Sequence, residues 1–510
     1  MEKSFVKDSL SNYVVFALQM AIGVVAIPVY LSVYGETLYG VYLLSIGLAS
    51  SLLFLEFGSG RAMLRYTAEY LNDGDRDKYA HALQTCLLIT GVTSVAVTAV
   101  FVALAYAQDY AFNIDAGFRE EAYYLFLGTG VYAFLLVAAQ LPQSMLKGAG
   151  IFFLRNQLVV VELLMRAAVL ALVWYYGLSI YWLLASEIAL ITTALAFDFV
   201  TLRRHARTVL DARLLGVRTG RPYLGGEVFT YAKETFLLSL VGFFVQHTDK
   251  IVIGVFLDVR FVAVYAVIYK PYTVIKSVAN KTFVVLQPYY VRIRQRQGVE
   301  RLREFVNRMS TLINAAFTVG LAAAALALPT VVYYWLGTRE YDPYIVYGQL
   351  LVLAYALKTT TAIPNGLLYI VGETRRLFRL ELAATGLNFA LSIALVQVVG
   401  VGGVLLGTFV ALLFSTPLLL HACARWLGEE PGAVVRAGAL RPLTRRFYVN
   451  LAAMATVMLV SVGIRTYWSG LPQVADAVAT VTAVAILLIG GAVLVRPGLR
   501  EFRALSEEFL

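Results

Sequence analysis

Charge is scarce in this chain. Only 15% of its 510 residues are Asp, Glu, Lys or Arg, where soluble domains carry roughly 25%. The longest polar connections, near 201–227 and 289–308, are too short to bury a core of their own. No GxxxxGK[ST] phosphate loop occurs, which leaves nucleotide-driven work without a site. Two cysteines, Cys86 and Cys423, do not make a disulfide framework, and His81, His205, His247 and His421 lack the spacing of metal ligands. These deficits predict no catalytic residues, no metal and no cofactor, hence a protein that is not an enzyme. The first ten residues, MEKSFVKDSL, carry no small-residue cleavage site, so no signal peptide is expected.

Apolar runs take up the rest. The chain is 60% hydrophobic with a mean hydropathy of +0.73, the composition of an integral membrane protein. Fourteen windows near 11–33, 38–58, 80–105, 121–140, 157–176, 179–200, 232–256, 261–285, 309–335, 345–370, 380–399, 402–423, 447–465 and 473–495 are each about as long as a helical crossing requires. Their continuous apolarity predicts helices, because the strands of a membrane barrel alternate polar and apolar. The charges between windows set the orientation. Of 42 Lys and Arg residues, only Arg119, Arg260, Arg339 and Arg465 fall on one set of alternate connections. Six more lie within windows, and the others gather on the opposite set together with both termini. The positive-inside rule then predicts cytoplasmic termini and an even number of spans in a prokaryotic cytoplasmic (inner) membrane. The net charge of +10 needs no nucleic acid as partner. Blocks such as RRHARTVLDARLLGVRTGR are expected to meet anionic membrane lipids.

The two halves echo each other. PQSMLKGAG from Pro142 aligns with PNGLLYIVG from Pro364, YGVY at 39–42 with VAVY at 262–265, and Gly177 with Gly400, at offsets of 222, 223 and 223. The expected architecture is therefore an all-α polytopic protein of about fourteen spans. Two homologous six-helix bundles, related by a pseudo-twofold along the membrane normal, are followed by two appended helices. The corresponding domains are residues 1–226, 227–430 and 431–510. A cleft between such repeats is a natural cargo site, opened to each side in turn by rocking.

Charges inside the windows are the candidate functional residues. A charge facing lipid costs roughly 2.5–3.5 kcal/mol even on lenient scales, so intramembrane charges should face water, a partner or a ligand. The stretch Leu240–Tyr290 holds Asp249, Lys250, Lys270, Lys276 and Lys281. Arg166 and Lys358 fall near mid-window, and Arg61 stands at the end of the second window beside Glu56. Lys276, Lys270, Lys250, Lys358, Arg166 and Arg61 are expected to line a cationic cavity for an anionic head group, with Tyr265, Tyr269 and Tyr272 as platforms for sugar rings. Asp249 and His247 are the candidate proton or cation coupling groups. Structural roles compete: snorkelling lysines, an internal Glu162–Arg166 pair at i,i+4, and Asp249 neutralising a neighbour. Glu187 has no basic residue within a turn of its own helix. Pro28, Pro271 and Pro364 are expected to bend their helices, and the runs GSG at 58–60 and AAAALA at 322–327 to serve close packing.

Several segments resemble a known family. PVYLSVYGETLYGVY (Pro28–Tyr42), FGSGRAMLRYTAEY (Phe57–Tyr70) and DKIVIGVFLDVRFVAVY (Asp249–Tyr265), with Asn12, Pro142, Gly148, Gly400 and Gly403, are similar to the polysaccharide transporter branch of the multidrug/oligosaccharidyl-lipid/polysaccharide exporter superfamily. The resemblance covers about residues 5–425. It implies two six-helix bundles around a central cavity and, as function, a flippase for O-antigen or capsule repeat units in lipopolysaccharide and polysaccharide biosynthesis. Its cargo would be a polyprenyl-pyrophosphate-linked oligosaccharide moved to the outer leaflet, with the polysaccharide polymerase machinery as partner and a monomer as the working form. The first helix lacks the acidic residue of cation-coupled drug exporters. A peptidoglycan-precursor flippase and a cation-coupled multidrug antiporter of the same architecture are the alternatives.

Overall fold

The computed structural model describes residues 2–211, 226–371, 374–426, 442–467 and 471–509. Nearly all of them are helical. In chain order the helices are α1 (Glu2–Ser51), α2 (Ser59–Asp73), α3 (Arg76–Ala111), α4 (Arg119–Gly148), α5 (Phe152–Tyr176), α6 (Ile180–His205) and α7 (Glu227–Phe256). There follow α8 (Arg260–Leu336), α9 (Asp342–Val371), α10 (Thr374–Val399), α11 (Val401–Trp426), α12 (Pro442–Tyr467) and α13 (Pro472–Phe509). Each of the fourteen predicted windows falls on helix. Among the described residues eleven helical stretches are long and apolar enough to cross a membrane. The protein is thus an all-α, polytopic membrane protein, its helices arranged as two bundles with further helices at the C-terminus.

Two long helices each carry two windows. The break between them is Gly35 in α1 (φ 71°, ψ 175°) and Gly298 in α8 (φ 86°, ψ −178°), a backbone region essentially restricted to glycine. The breaks lie at glycines and not at prolines: helical backbone continues through Pro28, Pro271 and Pro364. The stretch 289–308, expected as a polar connection, is helical on both sides of Gly298. There Glu304 pairs with Arg301 one turn before it and with Arg308 one turn after, spacings that support a helix in water.

The chain divides into two compact units, Met1–Val264 and Tyr265–Leu510. Helix α7 falls in the first of them. The repeat boundaries lie elsewhere: position 226 borders a segment outside the described residues, and position 430 lies within one. In the first unit a core forms where α2, α3, α4 and the end of α6 meet. Ala62, Met63 and Tyr66, spaced to share one face of α2, pack with Tyr79, Leu83, Met145 and Leu202. The approach of α2 to α4 is close enough that a Cβ at Gly148 would stand 2.7 Å from the Leu64 carbonyl oxygen. At the other end of these helices the α3–α4 connection is tied to the α7–α8 turn. Asn113 donates its N–H to Gly254 O (3.2 Å), and Val259 N donates to Asn113 O (3.0 Å). The same turn presses on α1, where a Cβ at Gly40 would lie 2.3 Å from Val259 O.

In the second unit the AAAALA run is buried as expected, with Ala325 and Leu326 at most 1% exposed. Helices α12 and α13 join this unit through polar contacts. Asn450 on α12 donates to Asn314 Oδ1 on α8 (3.2 Å) and to Ala356 O on α9 (2.9 Å), while Thr318 donates to Asn450 Oδ1 (2.7 Å). Gln349 on α9 donates to Ser461 Oγ (2.9 Å), and Arg339 reaches Asp476 on α13 (2.9 Å). Lipid offers no hydrophobic drive between helices, so bonds of this kind and tight packing hold the bundle.

Candidate functional site

Intramembrane charges gather at separate places in the two units. In the first unit Arg166 on α5 forms an ion pair with Glu187 on α6. This assigns Glu187 the partner that its own helix lacks. Burial is uneven: the Glu187 side chain is 9% exposed and that of Arg166 41%. Tyr30 and Tyr42 of α1 and Tyr132 of α4 lie within electrostatic reach of the pair. Ring centre to ring centre, Tyr30 stands 6.1 Å from Tyr34 on its own side of the Gly35 break and 5.6 Å from Tyr39 across it. The buried Tyr34 hydroxyl has no hydrogen-bond partner among the described residues. A guanidinium can hold a phosphate or a carboxylate by charge-assisted hydrogen bonds.

Asp249 and Lys250 are half-buried on α7, next to the buried Thr248. Lys250 lies against α1, for a Cβ at Gly47 would come within 3.2 Å of its Cδ. Its stem is therefore packed on a helix. The backbone of His247 belongs to α7, but its side chain lies outside the described residues. Arg61, exposed at the start of α2, is within electrostatic reach of Glu56, as is Lys147. Between them the chain turns through Phe57 (φ 52°) and Gly58 (φ 69°), and the Phe57 ring stacks on Phe236 of α7 at 4.5 Å.

In the second unit the lysines stand beside a row of tyrosines. Tyr265, Tyr269 and Tyr272 of α8 follow at 4.9 and 5.1 Å, and Tyr272 meets Tyr355 of α9 edge-on at 5.7 Å. Lys276 Nζ lies 5.9 Å from the centre of the Tyr272 ring, a cation–π contact. Tyr355 also reaches Asn280 Oδ1 at 3.3 Å, so it bridges the two turns that flank Lys276. Lys358 follows Tyr355 by three residues and shares its helix face. Both Tyr272 and Tyr355 are 3% exposed, which leaves their rings to one another rather than to a sugar. Lys270 is half-buried one turn earlier, its carbonyl capped by the Thr273 hydroxyl (2.7 Å).

Sequence reasoning named the charges and the tyrosine row beside Lys276 but missed the surroundings of Arg166. The tyrosines near Arg166 come from two helices, α1 and α4, and their only advance signal was a Glu187 without a basic partner on its own helix. Outside the spans, Glu69 on α2 accepts hydrogen bonds from Lys78 and Arg65, each 2.7 Å. Those bonds hold its carboxyl below the ordinary carboxylate range. Among the described residues no group of three or more His, Cys, Asp or Glu side chains is placed to hold a metal ion.

No protein-family model and no curated protein matches the chain. Solved structures do match its fold. Lipid II flippase MurJ in an inward closed conformation superposes with a TM-score of 0.62 at 12% identity, covering 97% of this chain and 100% of that one. An inward-facing multidrug resistance MATE family transporter of the MOP superfamily gives 0.60 at 16% identity over 82% and 96%. A eukaryotic MATE transporter gives 0.52 at 12% identity over 89% and 99%. At these identities the likeness is one of fold, and the fold that this chain shares is that of polytopic membrane transporters.

Proposed function

We propose that this chain is an alternating-access transporter of the MOP superfamily whose cargo is a polyprenyl-pyrophosphate-linked saccharide. The observation that carries this reading is the fold likeness to a lipid II flippase over 97% of the chain. The intramembrane cations supply the chemistry. A pyrophosphate stripped of water loses many kcal/mol of hydration, and fixed guanidinium and ammonium groups return part of it through charge-assisted hydrogen bonds. The candidate residues are Arg166, Lys250 and Arg61 in the first unit and Lys276, Lys270 and Lys358 in the second. Tyr272 supports Lys276 from beneath.

Two cargoes fit this chemistry. The segment resemblance favours an O-antigen or capsule repeat unit. The comparison of folds favours a peptidoglycan precursor, since coverage of this chain falls from 97% for the lipid II flippase to 82% for the inward-facing MATE transporter. We take the precursor as the better supported of the two. A drug antiporter is less well supported, because basic residues outnumber acidic ones within the spans. Coupling to a proton or sodium gradient fits the MATE-like fold and the titratable Asp249 and His247.

Mass spectrometry of lipid copurifying with the full-length protein tests the cargo. A polyprenyl pyrophosphate bearing a muropeptide supports the precursor reading, and one bearing a repeat-unit glycan replaces it with the O-antigen reading. Recovery of phospholipid alone, with no binding of added polyprenyl pyrophosphate, would overturn the class. Transport in vesicles that continues unchanged after both gradients are collapsed would remove the coupling role.

A further inference from the structure

Helix α6 ends in a basic cradle at the membrane boundary. Phe199 and Val200 are 46% and 47% exposed on a helix apolar enough to span a bilayer, so lipid is their natural surrounding. Within one turn the surface changes character: Arg203, Arg204 and His205 close the helix, and a short 3-10 turn, Arg207–Leu210, follows. The three arginines and Thr208 line a cleft of about 700 Å³ whose apolar wall is Val200 and Leu210. One carboxylate, Asp211, shares the lining, which leaves a net positive cleft.

The cradle is fixed in place. Ala206 and Val209, which alternate with the lining residues, are buried in the first unit's core at 8% and 0% exposure. Tyr79 Oη donates to the Val209 carbonyl (3.2 Å), and Arg207 Nε to the Arg203 carbonyl (3.1 Å). The arginines therefore project from an anchored turn, unlike the side chains of a loose basic tail. Their simplest task is to offset the negative end of the α6 dipole. Three guanidiniums around one cleft exceed that need, and planar guanidinium forks match phosphate oxygens two at a time.

We propose that this cleft binds the head group of an anionic phospholipid of the cytoplasmic leaflet, its phosphate held by Arg203, Arg204 and Arg207 and its acyl chains running along Val200 and Phe199. The apolar wall selects a lipid over free phosphate. The leaflet follows from the orientation expected from charge bias. The site stands whichever cargo the transporter carries, because none of its residues belongs to the cargo path.

Native mass spectrometry of the full-length protein, titrated with phosphatidylglycerol or phosphatidylcholine, tests the assignment. Phosphatidylglycerol should bind with higher affinity than phosphatidylcholine, and millimolar orthophosphate should not displace it. Each interfacial arginine contributes about fivefold to binding of an anionic surface. Arg204→Gln alone should therefore weaken phosphatidylglycerol about fivefold, and Arg203→Gln/Arg204→Gln/Arg207→Gln about a hundredfold. The equal-charge control Arg292→Gln/Arg294→Gln/Arg296→Gln, on exposed positions of α8, should change it less than twofold. If the triple variant unfolds, the single variant and its Arg204→Lys counterpart still decide, with lysine expected to restore part of the loss. An equal loss in the control would mean a diffuse surface potential and overturn the site, as would equal affinity for the two lipids. Displacement by orthophosphate would reassign the cleft to free anions, and displacement by equimolar polyprenyl pyrophosphate would reassign it to cargo.

Discussion

Arg166 and Glu187 meet across the α5–α6 interface with unequal burial, the carboxylate enclosed and the guanidinium half open. The pair solves two problems at once: it neutralises a buried acid and holds a cation toward the space beside Tyr30 and Tyr132. Glu187→Gln should then destabilise the protein by about 1–3 kcal/mol, below the figure for a fully buried pair because Arg166 is partly solvated. Arg166→Met/Glu187→Met should regain most of that stability, measured by thermal melting in detergent. Transport should fail in the double variant as in Arg166→Met. Full transport by the double variant would leave the pair a purely structural role.

Lys276 is placed over Tyr272 on a turn bridged by Tyr355. Lys276→Gln should melt near the parent temperature, because it removes a charge that is costly to desolvate. It should lower transport by about tenfold to a hundredfold through loss of a charged hydrogen bond. Lys276→Arg should keep part of the activity, and Lys3→Gln all of it. Tyr272→Leu, which removes a cation–π contact of about 0.5–1 kcal/mol at an exposed site and more when desolvated, should give an intermediate decline.

The Asn314–Asn450 contact predicts strong coupling. Replacing either asparagine with leucine strands the other's buried amide and should cost about 1–3 kcal/mol. Asn314→Leu/Asn450→Leu should cost less than the sum of the two, since neither amide is then left behind. Additive losses in melting experiments would show that the two amides act independently.

Glu69 carries the pH prediction. Its folded carboxyl titrates below its unfolded value because Lys78 and then Arg65 hydrogen-bond the charged form. The stabilisation is therefore complete above the ordinary carboxylate range, near pH 4.5, and is lost as pH falls through the folded value. The group is surface-exposed and the effect small, under about 1 kcal/mol. Amide protection at the α2–α3 turn, corrected for the intrinsic exchange rate and compared between pH 7 and about pH 3, should fall more in the parent than in Glu69→Gln. Identical profiles for the two proteins would remove Glu69 as the cause.

Helix count and type were legible because hydropathy averaged over twenty residues is a strong signal. Gly35 and Gly298 are the instructive exceptions. Proline in a span bends a helix without having to end it, while glycine readily adopts the φ of these two breaks. The charges of the candidate site were equally legible, for Arg166 and Lys276 stand out in apolar surroundings. Their partners were not. Glu187 is 21 residues from Arg166 and Tyr355 is 75 from Asn280, separations that carry no periodicity, and the arginine cradle depends on a turn whose anchoring by Tyr79 spans 130 residues. Superposition of residues 11–200 on 232–423 by rotation about an axis along the membrane normal tests the twofold repeat, and an inverted match would refute it.

The amide clasp on α12 also bears on how the chain is made. Asn314 and Thr318 leave the ribosome 136 and 132 residues ahead of Asn450. Until α12 arrives, Asn314 faces its surroundings one bond short, in a solvent that supplies no substitute donor. A chain halted before Pro442 exposes that deficit to the insertion and proteolysis machinery of the membrane, and a finished chain hides it. The last helices thereby supply the donor that the Asn314 side-chain oxygen accepts.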